Sequence, residues 1–206
     1  IGPNGCGKTT LFKLITKEED VDSGNISIRK GTNVRLLSQM PPIVDDNCTV
    51  KDILTRDFKI IFDIEKCMKE LEKKMAVANL EQVEDILEKY GKLQNRFMAL
   101  NGYTIDSKIS ELCNKFKIGE DMLNRRFNTL SGGEKTIVNL ASIMLSNPDI
   151  LLLDEPTNNL DIDTLEWLET YLKNYSGTIV LCSHDRYFLD KVVSKIVSIE
   201  RGKSEI

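Results

Sequence analysis

The sequence predicts an α/β fold with a phosphate-binding loop at its start, a parallel sheet behind the loop and a long helical stretch between them. Residues Gly2 to Thr9 read Gly-Pro-Asn-Gly-Cys-Gly-Lys-Thr and fit G-x-x-x-x-G-K-[ST], the pattern of a loop that opens a helix at a phosphate. Ile150 to Leu153 and Thr178 to Cys182 are continuous apolar runs, as in parallel strands covered on both faces. From Thr49 to about Lys117 the apolar residues instead recur at steps of three and four, which is helical spacing.

The elements follow in order. Leu11, Phe12, Leu14 and Ile15 give the helix after the loop an apolar face, and Asp22-Ser23-Gly24 marks the turn that follows. Ile26 and Ile28 alternate with polar neighbours, and Gly31-Thr32-Asn33 separates them from Val34 to Leu37, which predicts a β-hairpin ended by Pro41-Pro42. In the helical stretch Ile64, Met68, Leu71, Met75 and Ala78 have heptad spacing, and Val83, Ile86, Tyr90, Leu93, Phe97 and Leu100 continue in a new phase. The phase break at Asn79 predicts two helices folded back on each other. Eight basic and eight acidic residues lie between Lys59 and Leu100, the balance of a solvated helical hairpin. From Leu130 onward helices and strands alternate, the pattern of a parallel sheet.

Composition narrows the classes. A chain of 206 residues with 41% hydrophobic and 29% charged residues, 12 Gly and 5 Pro is globular, not disordered or fibrous. Lys and Arg total 28 against 32 Asp and Glu, a net charge of −4, so no global basic field draws the protein to nucleic acid. No apolar run approaches the roughly 20 residues of a membrane helix, so no membrane-spanning segment is expected. Five scattered cysteines without a CxxC pair point to a reducing cytoplasm, and a chain that opens on Ile1 beside the phosphate loop is expected to be cut at its start.

The chemistry-bearing residues sit at the ends of these elements. The loop glycines let backbone N–H groups close around phosphates, Lys8 would hold the β and γ phosphates, and Thr9 would place its hydroxyl on Mg²⁺. A chance match to this loop pattern in such a chain is on the order of one in a hundred. Asp154 and Glu155 stand at the exit of the first apolar run, where parallel strands face a ligand. Asp154 suits Mg²⁺ and Glu155 suits a proton acceptor for an attacking water; the plainer reading, two acids capping the next helix, leaves the loop without a metal partner. His184, the one histidine, stands at the exit of the second run, where it can contact a γ-phosphate or orient water, while Asp185 reads as a helix cap. Leu130-Ser131-Gly132-Gly133-Glu134 precedes an apolar helix, with Ser131 either an N-cap or part of a second anion site.

Together these motifs resemble the ATP-binding cassette superfamily: phosphate loop, Gln39, the signature Leu130 to Glu134, Asp154-Glu155, the D-loop Asn159-Leu160-Asp161 and His184, in the expected order over essentially the whole chain. Within it the tract Leu153 to Asp161, the switch segment Ser183 to Asp190 and the extra length between Gln39 and Ser131 are similar to the ABC-F family, in which such an insertion is the arm of the first of two cassettes. The resemblance implies one cassette domain, 1–206, cut at both ends. Its core would comprise 1–48 and 131–206, and its helical subdomain 49–130, with an arm at about 59–101. It further implies that Gly2, Pro3, Asn4, Gly5, Cys6, Gly7, Lys8, Thr9, Thr10, Gln39 and Asp154 bind ATP, that Thr9, Gln39 and Asp154 hold Mg²⁺, and that Glu155, His184 and Lys8 are catalytic.

In cassettes of this kind ATP lies between two copies facing head to tail. Residues 130–134 would serve nucleotide held by the opposing cassette, Asp161 would cross the interface, and one cassette alone would be inactive. The activity implied is that of a soluble cytoplasmic ATPase acting on the ribosome, with its rRNA and tRNA, as a translation factor or an antibiotic-resistance protein. The competing readings are the nucleotide-binding subunit of a membrane transporter, which needs no heptad insertion, and a binding module with little turnover, which the presence of Glu155 and His184 disfavours. Asn159 stands where many family members have His.

Overall fold

The computed structural model describes residues 1–3, 5–38, 44–200 and 203–205. Helix α1, Lys8–Thr16, follows the loop directly, with Gly7 as its left-handed N-cap at φ 101°. Strand β1, Val34–Leu37, precedes a run of helices: α2, Val50–Thr55; α3, Lys59–Met75; α4, Leu80–Ala99; α5, Ile105–Lys115; α6, Glu120–Leu123; and α7, Gly132–Ser146. Then β2, Ile150–Asp154, and β3, Thr178–Cys182, alternate with α8, Ile162–Lys173, and α9, Arg186–Val192. The strands β4, Ser198–Glu200, and β5, Lys203–Glu205, form a small antiparallel pair at the end.

β1, β2 and β3 form one parallel sheet in that order, with Val34 opposite Ile150 and Asp154 opposite Cys182. This register delivers the ends of β2 and β3 side by side, so Glu155 and His184 emerge next to each other. The expected hairpin of residues 26–37 is not formed: residues 25–29 join no strand, and β1 pairs in parallel with β2. Val-Arg-Leu-Leu is the nearly continuous apolar run of a strand covered on both sides, and its partner is another such strand.

Both faces of the sheet are covered. On one, Phe12 of α1 packs on Leu152 and Cys182. On the other, Leu151 and Leu153 meet Val138, Leu140 and Ala141 of α7, which in turn hold Val50, Ile53 and Leu54 of α2. This three-layer arrangement fixes α1, and with it the phosphate loop, over the ends of β2 and β3.

α3 and α4 pack along each other as a hairpin, joined by residues 76–79. Asn79 starts α4 with a capping box, accepting from Gln82 N at 3.0 Å, which explains the phase break in the apolar pattern. Ile61, Ile64, Met68, Phe97 and Ile105 form a core of their own at the base of the hairpin. The helical stretch is broken more often than heptad spacing alone suggests, by short 3-10 turns at Arg56–Phe58 and Gly102–Thr104 and by Asn101 at φ 55°. At Gly102 a Cβ would collide with the Phe97 ring, which is also packed edge-on by Tyr103. Gly102→Ala therefore loosens the base of the hairpin by about 1–3 kcal/mol, read as a lower denaturant midpoint. An unchanged midpoint would show that the ring moves aside freely.

Candidate functional site

The phosphate loop takes its shape from glycines with positive φ, 78° at Gly5 and 101° at Gly7, a backbone that side-chain-bearing residues rarely adopt. Lys8 folds back over the loop: its Nζ donates to the Gly2 carbonyl at 2.7 Å and the Pro3 carbonyl at 3.0 Å, with Cys6 Sγ at 3.9 Å. Thr9, on the first turn of α1, donates its hydroxyl to Asp154 Oδ2 at 2.6 Å, which links the loop helix to the end of β2.

Glu155 follows Asp154 and is only 8% exposed. Its backbone is left-handed at φ 52°, held there by its N–H donating to the Cys182 carbonyl at 2.8 Å. Non-glycine residues carry strain in this region, and such strain collects at functional sites. His184 donates its backbone N–H to Glu155 Oε2 at 3.2 Å, and its Nε2 lies 3.4 Å from Oε1. The His184 side chain is 62% exposed. Burial pushes the neighbouring Cys182 thiol up to about 11, with the Asp154 charge adding to the shift, so the sulfur beneath the site is neutral.

A cavity of about 470 Å³ is lined by Gly5, Gly7, Lys8, Thr9, Thr10, Asp154, Glu155, Asn158 and His184. The loop, the two carboxylates and the histidine expected from sequence thus meet at one place. Cys6 and Pro3 belong to the loop without lining this cavity, and Gly2 lines a neighbouring one. Asn4 and Gln39 lie outside the described residues. Asn158 was not anticipated. It enters the cavity because residues 155–158 turn back, with Asn158 N donating to the Glu155 carbonyl at 3.3 Å, and nothing in an Asn two residues after a proline signals that.

The site suits a hard divalent cation. Among the described residues no group of three or more His, Cys, Asp or Glu side chains could hold a metal alone. Thr9 and Asp154 supply two converging oxygens, the partial set typical of Mg²⁺ that completes its shell with phosphates and water.

The signature segment lies elsewhere. Ser131 is the N-cap of α7, accepting from Glu134 N at 3.3 Å while Glu134 Oε2 accepts from Ser131 N at 2.7 Å. The Ser131 backbone bond, with Arg125 beside it, holds the Glu134 carboxyl below the usual carboxylate range. Leu130 is buried, and a Cβ at Gly133 would sit 3.1 Å from Asn159, so Gly132-Gly133 and the Asn159-Leu160-Asp161 segment meet on one surface outside the cavity. Asp161 caps α8, accepting from Thr164 N at 2.9 Å, and also receives Lys117 Nζ at 3.0 Å. Those bonds, the backbone one first, lower its pKa. The Lys117 contact ties the end of α5 to the loop after Glu155, a pairing over 44 residues that carries no local sequence signal.

Among the described residues no helix is long and apolar enough to cross a membrane. A family model described as ABC transporter matches residues 1–158. The chain is 39% identical over 99% of its length to "ABC transporter F family member 5" of Arabidopsis thaliana, of which it covers 30%. It is 33% identical over 99% of its length to the "Energy-dependent translational throttle protein EttA" of Mycobacterium tuberculosis, covering 36% of that protein. To the "Tylosin resistance ATP-binding protein TlrC" of Streptomyces fradiae it is 34% identical over 99% of its length, again covering 37% of the relative. The chain spans about a third of the length of these curated relatives. A solved structure described as "Structure of ATP binding subunit of ABC transporter" superposes with TM-score 0.68 over the whole chain and 76% of its own, at 17% identity, and so shares the fold. With its loop, carboxylates and histidine gathered in one cavity and its sequence matched across residues 1–158, the chain belongs to the ABC transporter family of ATP-binding domains.

Proposed function

We propose that the chain is the first cassette of an ABC-F protein that binds and hydrolyses ATP in the cytoplasm and acts on the ribosome. The observation that carries the hydrolytic part is the pairing of buried Glu155 with His184 beside Lys8 and the Thr9–Asp154 contact. The N–H groups at Gly5 and Gly7 and the ammonium of Lys8 receive the phosphates of ATP. Thr9 and Asp154, with Gln39, would hold Mg²⁺, which would supply positive charge against the phosphates. Glu155 accepts a proton from a water as its oxygen bonds to the γ-phosphorus and the bond to the ADP oxygen breaks, giving ADP and inorganic phosphate. His184 steadies the Glu155 carboxylate and the γ-phosphate side of the cavity. Leu130 to Glu134 and Asp161 do not line this cavity, which supports a role toward nucleotide on an opposing cassette.

The ribosomal part is supported by the α3–α4 hairpin, which we take as the arm at about 59–101, and by relatives whose names refer to translation and tylosin resistance. Translation control and antibiotic protection are both served by such a device. The test is co-sedimentation of the full-length protein with purified ribosomes. Glu155→Gln protein with ATP pellets with ribosomes, and deletion of 63–100 removes the pelleting while ATP binding persists. Loss of ATP binding in the deletion would make the hairpin part of the core. ATP-independent absence from ribosomes, with recovery on membranes, would favour a transporter subunit.

A further inference from the structure

Lys117 Nζ donates to Asp161 Oδ2 at 3.0 Å and to Asp163 Oδ2 at 3.3 Å. An exposed ion pair by itself holds two side chains weakly. Here the backbone is fixed at both ends of the contact. Phe116 and Ile118, on either side of Lys117, are buried in the main core, and the Phe116 ring packs edge-on against Trp167 of α8 with centroids 5.2 Å apart. Asp161 is the N-cap of α8, and its other carboxylate oxygen accepts from Thr164 N at 2.9 Å. We propose that Lys117 is a positioning residue for ATP turnover, which fixes the loop from Glu155 to Asp161 by holding its far end. This rests on the hydrolytic reading above.

The local backbone favours a role for the side chain over a role in the turn. α5 ends in a Schellman motif, with Ile118 N donating to the Cys113 carbonyl at 2.8 Å and Lys117 N to the Asn114 carbonyl at 3.3 Å. Lys117 is the left-handed residue of that motif, at φ 56°, the place that glycine usually takes. A lysine there carries strain that glycine would relieve, and its ammonium meets two carboxylates 44 and 46 residues on. Lys17, at the end of α1, has the same backbone at φ 62°, and among the described residues its side chain makes no hydrogen bond or ion pair. It is the natural control.

The near end of the loop enters the nucleotide cavity. Asn158, which lines it, donates its N–H to the Glu155 carbonyl, and Leu160 N donates to the Thr157 carbonyl at 3.4 Å. A shift of Asp161 is therefore passed through short contacts to Asn158 and Glu155. The groups that receive the nucleotide, Gly5, Gly7, Lys8 and Thr9, lie on the phosphate loop and the start of α1, outside this segment. Loss of the Lys117 side chain thus slows turnover and leaves nucleotide affinity alone.

The experiment uses the full-length protein as wild type, Lys117→Gly, Lys117→Arg and Lys17→Gly. Turnover is measured against ATP concentration, stability by thermal unfolding, and loop mobility by deuterium exchange of the amides of residues 155–161. Lys117→Gly lowers kcat at least fivefold with KM within twofold, speeds exchange at Asn158 and Leu160 at least threefold, and unfolds no lower than wild type, because glycine suits the left-handed backbone. Lys117→Arg keeps the charge and the reach and stays within twofold of wild type in kcat. Lys17→Gly matches wild type in kcat and in exchange. Unchanged exchange in Lys117→Gly overturns the tie, and unchanged kcat overturns its part in turnover. A fall in kcat accompanied by a lower melting temperature also overturns the proposal, since it would make Lys117 a structural residue. A wild-type protein that cleaves no ATP overturns the hydrolytic reading, and the exchange result then decides by itself whether Lys117 holds the loop.

Discussion

Glu155→Gln reduces phosphate production by roughly 10²–10⁴-fold while ATP stays bound. The carboxamide has the size of the carboxylate but cannot take a proton from water. Its neighbours are untouched, since the residue's backbone bond to Cys182 and the His184 N–H contact need only an oxygen acceptor and an N–H. Lys8, Thr9 and Asp154, which meet the phosphates and the metal, keep their positions, so nucleotide affinity is preserved. The measurement is paired: phosphate production at saturating ATP, and retention of labelled ATP on the protein after gel filtration. A low rate with retained ATP assigns the proton transfer to Glu155. Turnover within a few fold of wild type would move that role elsewhere, with His184 the next candidate because its Nε2 stands beside the same carboxylate.

The parts of this site that were legible in the sequence are those with local causes. The loop shows in spaced glycines because positive φ at Gly5 and Gly7 demands them. The strand ends show because Ile150–Leu153 and Thr178–Cys182 are apolar without interruption, and the residues that follow such strands face the ligand. Ser131 was legible as a cap because the Glu three residues on completes a capping box. What remained hidden has non-local causes. β1 pairs with β2 and not with residues 26–29, and its side chains go to both faces of the sheet, Val34 and Leu36 toward α1 and Leu37 toward α2 and α7. Asn158 reaches the cavity through a turn, and Lys117, just past α5, meets Asp161 at the start of α8, 44 residues on; neither leaves a spacing to read.

Phe12→Ala is expected to have the largest effect on stability, about 3–5 kcal/mol. Phe12 is 1% exposed and packs on Leu152 and Cys182, so its ring is the main apolar contact between α1 and the face of the sheet it covers. The other face is filled by a much larger cluster, which includes α2, α7 and α8, and has redundancy that α1 lacks. A chain of this size loses roughly 2–4 °C of melting temperature per kcal/mol, so the transition should fall by about 6–20 °C. The loss is also directional. α1 carries Lys8 and Thr9 at its first turn, and the Thr9–Asp154 bond still ties loop to strand once the ring is gone. Saturating Mg-ATP, which binds only the folded loop, should therefore raise the melting temperature of Phe12→Ala by at least as much as it raises that of wild type. Equal stability of the two proteins would mean that the loop is held in place by its own backbone rather than by α1.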